Sequence, residues 1–397
     1  MNCVERGKTL MALKEKKIAL LPLMKYPGGK GRELYEILPN LPPDALNFYE
    51  PFVGGGAVYF AVDSENYFVN DKSTELMGLY EMIAKQNRIF FARLERINYD
   101  WILMSNLVKN HYDELTRLYY DYRNDAFDEK TLNIKINQFV NENSDEFNGL
   151  LLPDFSIDIN NFIYEVIRNI KNKLKRMKKL ELRKGSLTKI DLESNFESAF
   201  KSAFYMHFRY LYNNVTKLKI EKPYATAIYY FIREYCYSSM YRYNSNGEFN
   251  VPYGGISYNK KNLTNKIAYF KKTNLIGHLK ATIFGSYDFK EFLKKYPPNI
   301  NDFMFLDPPY DTEFSTYANN KFGQNDQARL AEYLINDCDS YFMLVIKDTE
   351  LIRSLYPDGI RTRNNRQLRV RSFDKQYIVS FQNRNDRDVT HLVITNY

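Results

Sequence analysis

Short apolar runs closed by polar residues alternate with stretches of helical periodicity along this chain of 397 residues. Asn47-Phe48-Tyr49-Glu50, Tyr67-Phe68-Val69-Asn70-Asp71 and Phe303-Met304-Phe305-Leu306 read as strands, as do residues 282–286 and 342–346. Residues 376–381 and 390–395 predict a hairpin joined by Asn383-Arg384-Asn385-Asp386-Arg387. The apolar run at 18–24 predicts a first strand or a helix lead-in, residues 32–38 a helix, and the polar, acidic stretch 141–161 a loop. Beyond it, Ile163, Val166, Ile167, Ile170, Leu174 and Met177 recur at helical spacing, with Arg168, Lys171, Lys173, Lys175, Arg176, Lys178 and Lys179 on the other faces. That basic face reads equally as a solvated surface or as a track for phosphates. Strands interleaved with helices predict an α/β fold.

Three breaks in this pattern carry chemistry. Leu306-Asp307-Pro308-Pro309-Tyr310 follows an apolar strand, and two prolines stiffen the segment and remove backbone donors. The bracket presents a carboxylate, a carbonyl and an aromatic face, which suits a flat heterocycle bearing an amine. Upstream, Glu50-Pro51-Phe52-Val53-Gly54-Gly55-Gly56 predicts a strand, a glycine turn and a helix start, where a ligand can approach the backbone closely. Asp71, at the tip of the next strand, is placed to accept hydrogen bonds from ribose hydroxyls. The hinge is not the G-x-G-x-x-G dinucleotide form, because Ala57-Val58-Tyr59 follows Gly56. The third break is Lys25-Tyr26-Pro27-Gly28-Gly29-Lys30-Gly31, a Pro-Gly-Gly turn flanked by lysines.

In this order the segments resemble the Dam-like (D12 class) DNA adenine-N6 methyltransferases, with their K-[WY]-x-G-G-K, E-P-F-x-G-x-G and D-P-P-Y motifs. A fourth match, Arg242-Tyr243-Asn244 through Gly247-Glu248-Phe249-Asn250-Val251-Pro252-Tyr253-Gly254, lies where that family reads its target. The resemblance covers residues 24–90 and 225–397. It implies a Rossmann-like, S-adenosylmethionine-dependent mixed sheet with an inserted, largely helical DNA-recognition domain. The implied cofactor is S-adenosylmethionine, contacted by Tyr26, Lys30, Phe52, Gly54, Gly56, Asp71, Asp288, Phe289 and Asp307. Asp307, Pro308 and Tyr310 would receive the target adenine, and Lys25, Tyr237, Arg242, Asn244, Pro252 and Tyr258 would contact DNA. Two departures, Ser238-Ser239 for the usual Asn-Gly and an added Gly255-Ile256, bear on the recognised sequence rather than on the chemistry; GATC is the leading candidate. The implied organisation is an extension at 1–24, a catalytic domain at 25–90 and 266–397, a helical insertion at 91–224 and a recognition module at 225–265.

The implied partner is double-stranded DNA, with a cognate restriction endonuclease or an orphan role both open. Methylation of RNA or of a protein amide is a rival reading, disfavoured because those variants usually carry Asn in place of Asp307. A silent DNA-binding module is disfavoured by the intact Asp307, Asp71 and Lys30. Composition agrees: 56 Lys+Arg against 48 Asp+Glu and a pI near 9.0 favour an anionic partner. Three scattered cysteines (Cys3, Cys236, Cys338) build no disulfide framework and indicate a reducing compartment. The histidines His111, His207, His278 and His391 lack metal-ligand spacing, so no metal is expected. The run at 18–24 is too short to span a membrane and has no cleavage site after it. A cytoplasmic, nucleoid-associated enzyme or a virus- or phage-encoded one is expected.

Overall fold

The computed structural model describes residues 20–149, 157–310, 322–376 and 388–397. The chain divides into two compact units, residues up to Lys85 with those from Lys272 onward, and Gln86–Lys271.

The first unit is built on a seven-stranded sheet: β1 (Asn47–Glu50), β2 (Asn66–Asn70), β3 (Thr282–Gly285), β4 (Phe303–Leu306), β5 (Tyr341–Lys347), β6 (Arg369–Gln376) and β7 (Asp388–Thr395). Their spatial order is β3-β2-β1-β4-β5-β7-β6. Strands β1 to β5 pair in parallel, whereas β7 runs antiparallel to both β5 and β6. Central β4 and β5 are nearly continuous apolar runs because helices cover both faces of a parallel sheet. Tyr49, Met304, Leu306, Phe342, Leu344 and Ile346 pack there with Phe292, Leu330 and Leu334 of the covering helices. The order runs outward from β1 through β2 to β3, then restarts at β4 on the other side of β1. Loops leaving the carboxyl ends of β1 and β4 therefore diverge, and the crevice between them is where open α/β sheets bind ligands.

The second unit is helical. Its longest elements, Ile159–Lys184 and Lys189–Asn213, form a hairpin through Gly185 at φ +88°, and Thr188 with Asp191 caps the second helix. Trp101, on the helix Arg88–Asn110, packs among Phe204, Phe231, Tyr235 and Tyr253, and its indole N–H donates to the Lys261 carbonyl at 2.8 Å. Among the described residues no helix is long and apolar enough to cross a membrane.

The structure corrects the sequence reading at four places. Residues 20–24 form neither strand nor helix, and 32–38 breaks into 3₁₀ and single-turn pieces. The glycine hinge opens into successive turns instead of a regular helix, since Gly54 (φ +48°) and Gly56 (φ +74°) cannot sit in one. The expected loop at 141–161 holds a helical turn, Ser144–Gly149, and the start of the helix at Ile159. The terminal hairpin pairs Arg369–Gln376 with Asp388–Thr395; of the expected first arm 376–381 all but Gln376, and the expected joining segment 383–387, lie outside the described residues. Arg369, Arg371 and Asp374 are exposed on that edge strand, which hid it from an apolar pattern.

One residue ties the carboxyl ends of three strands. The Asn70 amide donates to the carbonyls of Pro51 (3.0 Å) and Tyr287 (3.1 Å), and its oxygen accepts from the Tyr287 N–H at 2.9 Å. It is 1% exposed, so a truncated side chain would leave these groups without water. Asn70→Ala is expected to lower the stability of this unit by about 2–3 kcal/mol in urea unfolding. A loss under about 0.5 kcal/mol would show that the strand ends are held elsewhere.

Candidate active site

The hinge is shaped by close approach. A Cβ on Gly54 would stand 3.0 Å from the Tyr26 ring, and one on Gly56 only 2.6 Å from the Tyr80 hydroxyl. Tyr80 in turn donates to the Gly54 carbonyl at 3.1 Å, and Val53 N–H closes on the Asn70 carbonyl at 2.9 Å. The Asp71 carboxylate accepts from the N–H groups of Gly54 (3.1 Å) and Ser73 (2.9 Å), so it braces the hinge from behind. Burial raises its pKa to about 6, against the pull of those two amides.

On the other side of the sheet's reversal point, the ends of the first loop and of β4 meet. Lys30, 2% exposed, forms an ion pair with Asp307 and donates to the Tyr310 hydroxyl at 3.0 Å. The Tyr310 ring stands edge-on to His391 at 5.4 Å, with the Lys30 ammonium 5.4 Å from its centroid. The buried Gln327 amide takes the Pro309 carbonyl at 2.8 Å. Among the described residues nothing donates to the Pro308 carbonyl. Glu50, 3% exposed at the end of β1, feels both Asp307 and Lys30. Burial, reinforced by the Asp307 charge, pushes its pKa well above the usual carboxylate range, opposed by the Tyr59 amide and by Lys30. Its Oε2 has no hydrogen-bond partner among the described residues. A buried carboxyl oxygen without a partner, beside the bracket, fits a polar ligand that carries donors.

Phe52, Phe289 and Phe322 form an aromatic group with centroids 5.5–6.1 Å apart beside the hinge. Asp288 caps the helix Phe289–Lys295 and pairs with Arg329 at 2.8 Å, so its carboxylate is occupied within the protein.

The recognition candidates other than Lys25 lie in the helical unit. Arg233, fully buried, donates to the Met240 carbonyl at 2.9 Å, and its guanidinium stacks on Tyr241 at 4.0 Å. It anchors an exposed segment in which Ser238 and Ser239 both adopt φ +52°, the region usually left to Gly or Asn. Tyr237 is 51% exposed, and its N–H donates to the Pro252 carbonyl at 2.8 Å. Arg242 Nε donates to Asn250 Oδ1 at 2.9 Å, which fixes the guanidinium plane. The Asn244 side chain accepts from Asn246 (3.0 Å) and Glu248 (2.9 Å) N–H groups and donates to Glu248 Oε2, so it closes the hairpin turn. Tyr258 lies under Gly254, where a Cβ would come within 2.6 Å of its ring. Lys25 is exposed in the sheet-bearing unit.

The sequence reading missed Glu50, Asn70, Gln327 and Arg233. A polar residue ending an apolar strand was the available signal for the first two. Among the described residues no group of three or more His, Cys, Asp or Glu could hold a metal ion. Burial pushes the Cys236 and Cys338 thiols up to about 11, so neither is a ready nucleophile; Cys3 lies outside the described residues.

A mostly parallel seven-stranded sheet with a glycine hinge, a strand-end carboxylate and a proline bracket at the reversal point is the Rossmann-like fold of the methyltransferases. The chain belongs to the D12 class N6 adenine-specific DNA methyltransferase family, which it matches over residues 26–155 and 152–370. It is 27% identical over 382 residues to the type II methyltransferase M.CviBI of Paramecium bursaria Chlorella virus NC1A, covering 95% of this chain and 99% of that one. With the type II methyltransferase M1.LlaDCHI of Lactococcus lactis subsp. cremoris it shares 23% over 398 residues, 97% and 98% of the two chains. A DNA adenine methylase of Vibrio cholerae serotype O1 is 28% identical over 127 residues, 32% of this chain and 42% of its own. Its class of reaction is DNA adenine methylation.

Asp71 gives the site a pH signature. Its folded pKa of about 6 lies above the ordinary 3.8, so the folded form holds the proton more tightly than the unfolded one. The resulting stability is complete below about pH 4 and is lost as pH rises through about 6. Asp71→Asn cannot ionise, so between about pH 4 and 7 it is expected to gain about 1–3 kcal/mol on the wild type, beyond any constant offset. Parallel stability profiles in urea unfolding would contradict a buried, proton-holding Asp71.

Proposed function

We propose that the chain transfers a methyl group from S-adenosylmethionine to N6 of an adenine swung out of duplex DNA. The observation that carries this reading is the bracket: Lys30 grips both Asp307 and Tyr310, while the Pro308 carbonyl stays open beside them. The fit of the hinge supports the cofactor. Tyr26, Phe52, Gly54 and Gly56 would line its methionine part with Lys30 and Asp307 near its amino end. Asp71 would take the ribose hydroxyls, and Phe289 with Asp288 would flank its adenine. When bound, S-adenosylmethionine supplies an electrophilic methyl group on a sulfonium centre.

The amine of adenine is a poor nucleophile because its lone pair is shared with the ring. Asp307 and the Pro308 carbonyl accept its two hydrogens, drawing the nitrogen toward a pyramidal geometry and freeing the lone pair. Tyr310 holds the base by stacking, and Lys30 fixes both Asp307 and the Tyr310 hydroxyl, so positioning is set before the base arrives. With the methyl group supplied by bound S-adenosylmethionine, Asp307 would take the surplus N6 proton along its hydrogen bond and pass it to solvent. No thiolate is required. A base inside the stack cannot reach this bracket, so flipping at a cost of a few kcal/mol is part of the cycle.

Recognition is assigned to Lys25, Tyr237, Arg242, Asn244, Pro252 and Tyr258. The Arg242 plane, fixed by Asn250, suits a bidentate pair with guanine O6 and N7. Asn244 contributes by shaping the turn. A site containing GATC is the leading candidate, and relatives named type II methyltransferases favour a role beside a cognate restriction endonuclease.

Asp307→Ala is expected to cut methyl transfer by about 10²-fold or more while duplex binding persists, because Asp307 acts on the amine rather than on phosphates. Turnover is read from tritiated methyl incorporation, and the target from single-molecule sequencing of DNA from expressing cells. Near-wild-type turnover, or modified bases other than adenine, would overturn the assignment.

A further inference from the structure

Apart from Lys184 at its end, the cations of the helix Ile159–Lys184 divide into two sets. One set is consumed inside the helical unit. Lys175 pairs with Glu129 at 2.7 Å, Lys178 pairs with Asp125 and donates to the Tyr122 carbonyl at 2.9 Å, and Lys173 donates to Ser198 at 3.1 Å. Burial also lowers the Lys173 pKa to about 8, the mark of a packed lysine rather than a solvated one. Arg168 is held by Glu165 at 2.8 Å, and Lys171 points to Asn133.

The second set is Arg176, Lys179 and Arg183. All three are exposed, and their spacing of three and four residues places them in one line on the helix surface. Among the described residues they have no ion pair or hydrogen-bond partner. The helix has only two carboxylates, and both are buried and occupied: Glu165 by Arg168 and Asn169, Glu181 by Arg123 and the Leu187 N–H. The neighbouring Glu129 and Asp125 are taken by the first set. The helix therefore spends its nearby acids on one face and leaves an uncompensated cationic line on another.

We infer that Arg176, Lys179 and Arg183 form a phosphate-tracking stripe that grips the DNA backbone without reading bases. A rise of 1.5 Å per residue puts Arg176 and Arg183 about 10 Å apart along the axis, about three times the 3.4 Å axial rise per phosphate of one strand. Such a line spans about three successive axial steps of one strand, enough for each of its three cations to meet a phosphate. Two arginines and a lysine donate to phosphate oxygens with no internal pair to break, whereas Lys175 and Lys178 would each first have to leave an ion pair with Glu129 or Asp125. This inference rests on the reading of duplex DNA as the partner, and it adds an affinity element separate from the recognition segment.

The test is a salt titration of duplex binding by fluorescence anisotropy with the full chain. Replacing Arg176, Lys179 and Arg183 together by Ala is expected to reduce the slope of log K against log salt by about 2–3, at about 0.9 per released phosphate contact. Affinity for all duplexes should fall by a common factor, with the modified-base motif unchanged. Arg176→Lys with Arg183→Lys should keep the slope, as should Lys175→Ala with Lys178→Ala. A triple variant that melts like wild type but keeps its slope, or a Lys175/Lys178 variant that loses as much, overturns the stripe and leaves it to solvent or another polyanion. A wild-type chain that binds duplex with this slope yet methylates no adenine would instead strike the functional reading.

Discussion

The contact between Lys30 and Asp307 joins residues 277 positions apart and decides whether the site exists. A lysine 2% exposed is tolerable only when paired, and Asp307 and Tyr310 together satisfy it. The same ammonium fixes the carboxylate's direction and the tilt of the tyrosine. Charge neutralisation and the geometry of the bracket are thus one interaction. Glu50, close by and held toward its neutral form, keeps the pocket from accumulating two negative charges at the ends of adjacent strands.

Around that pair the strand ends are held by groups with little freedom. Asn70 ties β1, β2 and the segment after β3, and Asp71 braces the hinge that Tyr26 and Tyr80 pack against. Buried polar groups that are fully satisfied specify a single arrangement of the chain. Rigid scaffolding of this kind would suit the proposed transfer, which relies on positioning.

Much of this was legible in the sequence because the chemistry is local. The strand–hinge–carboxylate unit sits within residues 47–71 and the proline bracket within 306–310, and β1, β2, β4 and β5 announce themselves as apolar runs. What escaped is physically different. The partnership of Lys30 with Asp307 depends on the sheet's order, which spacing does not encode. Gln327 looks like any helix residue until its amide meets Pro309. Strand β6 alternates charges because it lies on an open edge, and Gly54 and Gly56 cancel the helix that the apolar residues after them suggest. On the helix 159–184 the sequence shows a uniform basic face, and only the neighbouring acids sort its lysines into spent and unspent.

The interrupted layout of the sheet has a consequence in time. At about 5–20 residues per second, a ribosome that has made Lys30 takes about 14–55 s to reach Asp307. Through that interval β1 and β2 exist without β4, and a lysine destined for burial has no counter-charge. The helical unit, Gln86–Lys271, is continuous in the chain and can close on itself within the same window. Synthesis thus delivers the finished helical unit first, and the Lys30–Asp307 pair arrives last, with the final third of the polypeptide.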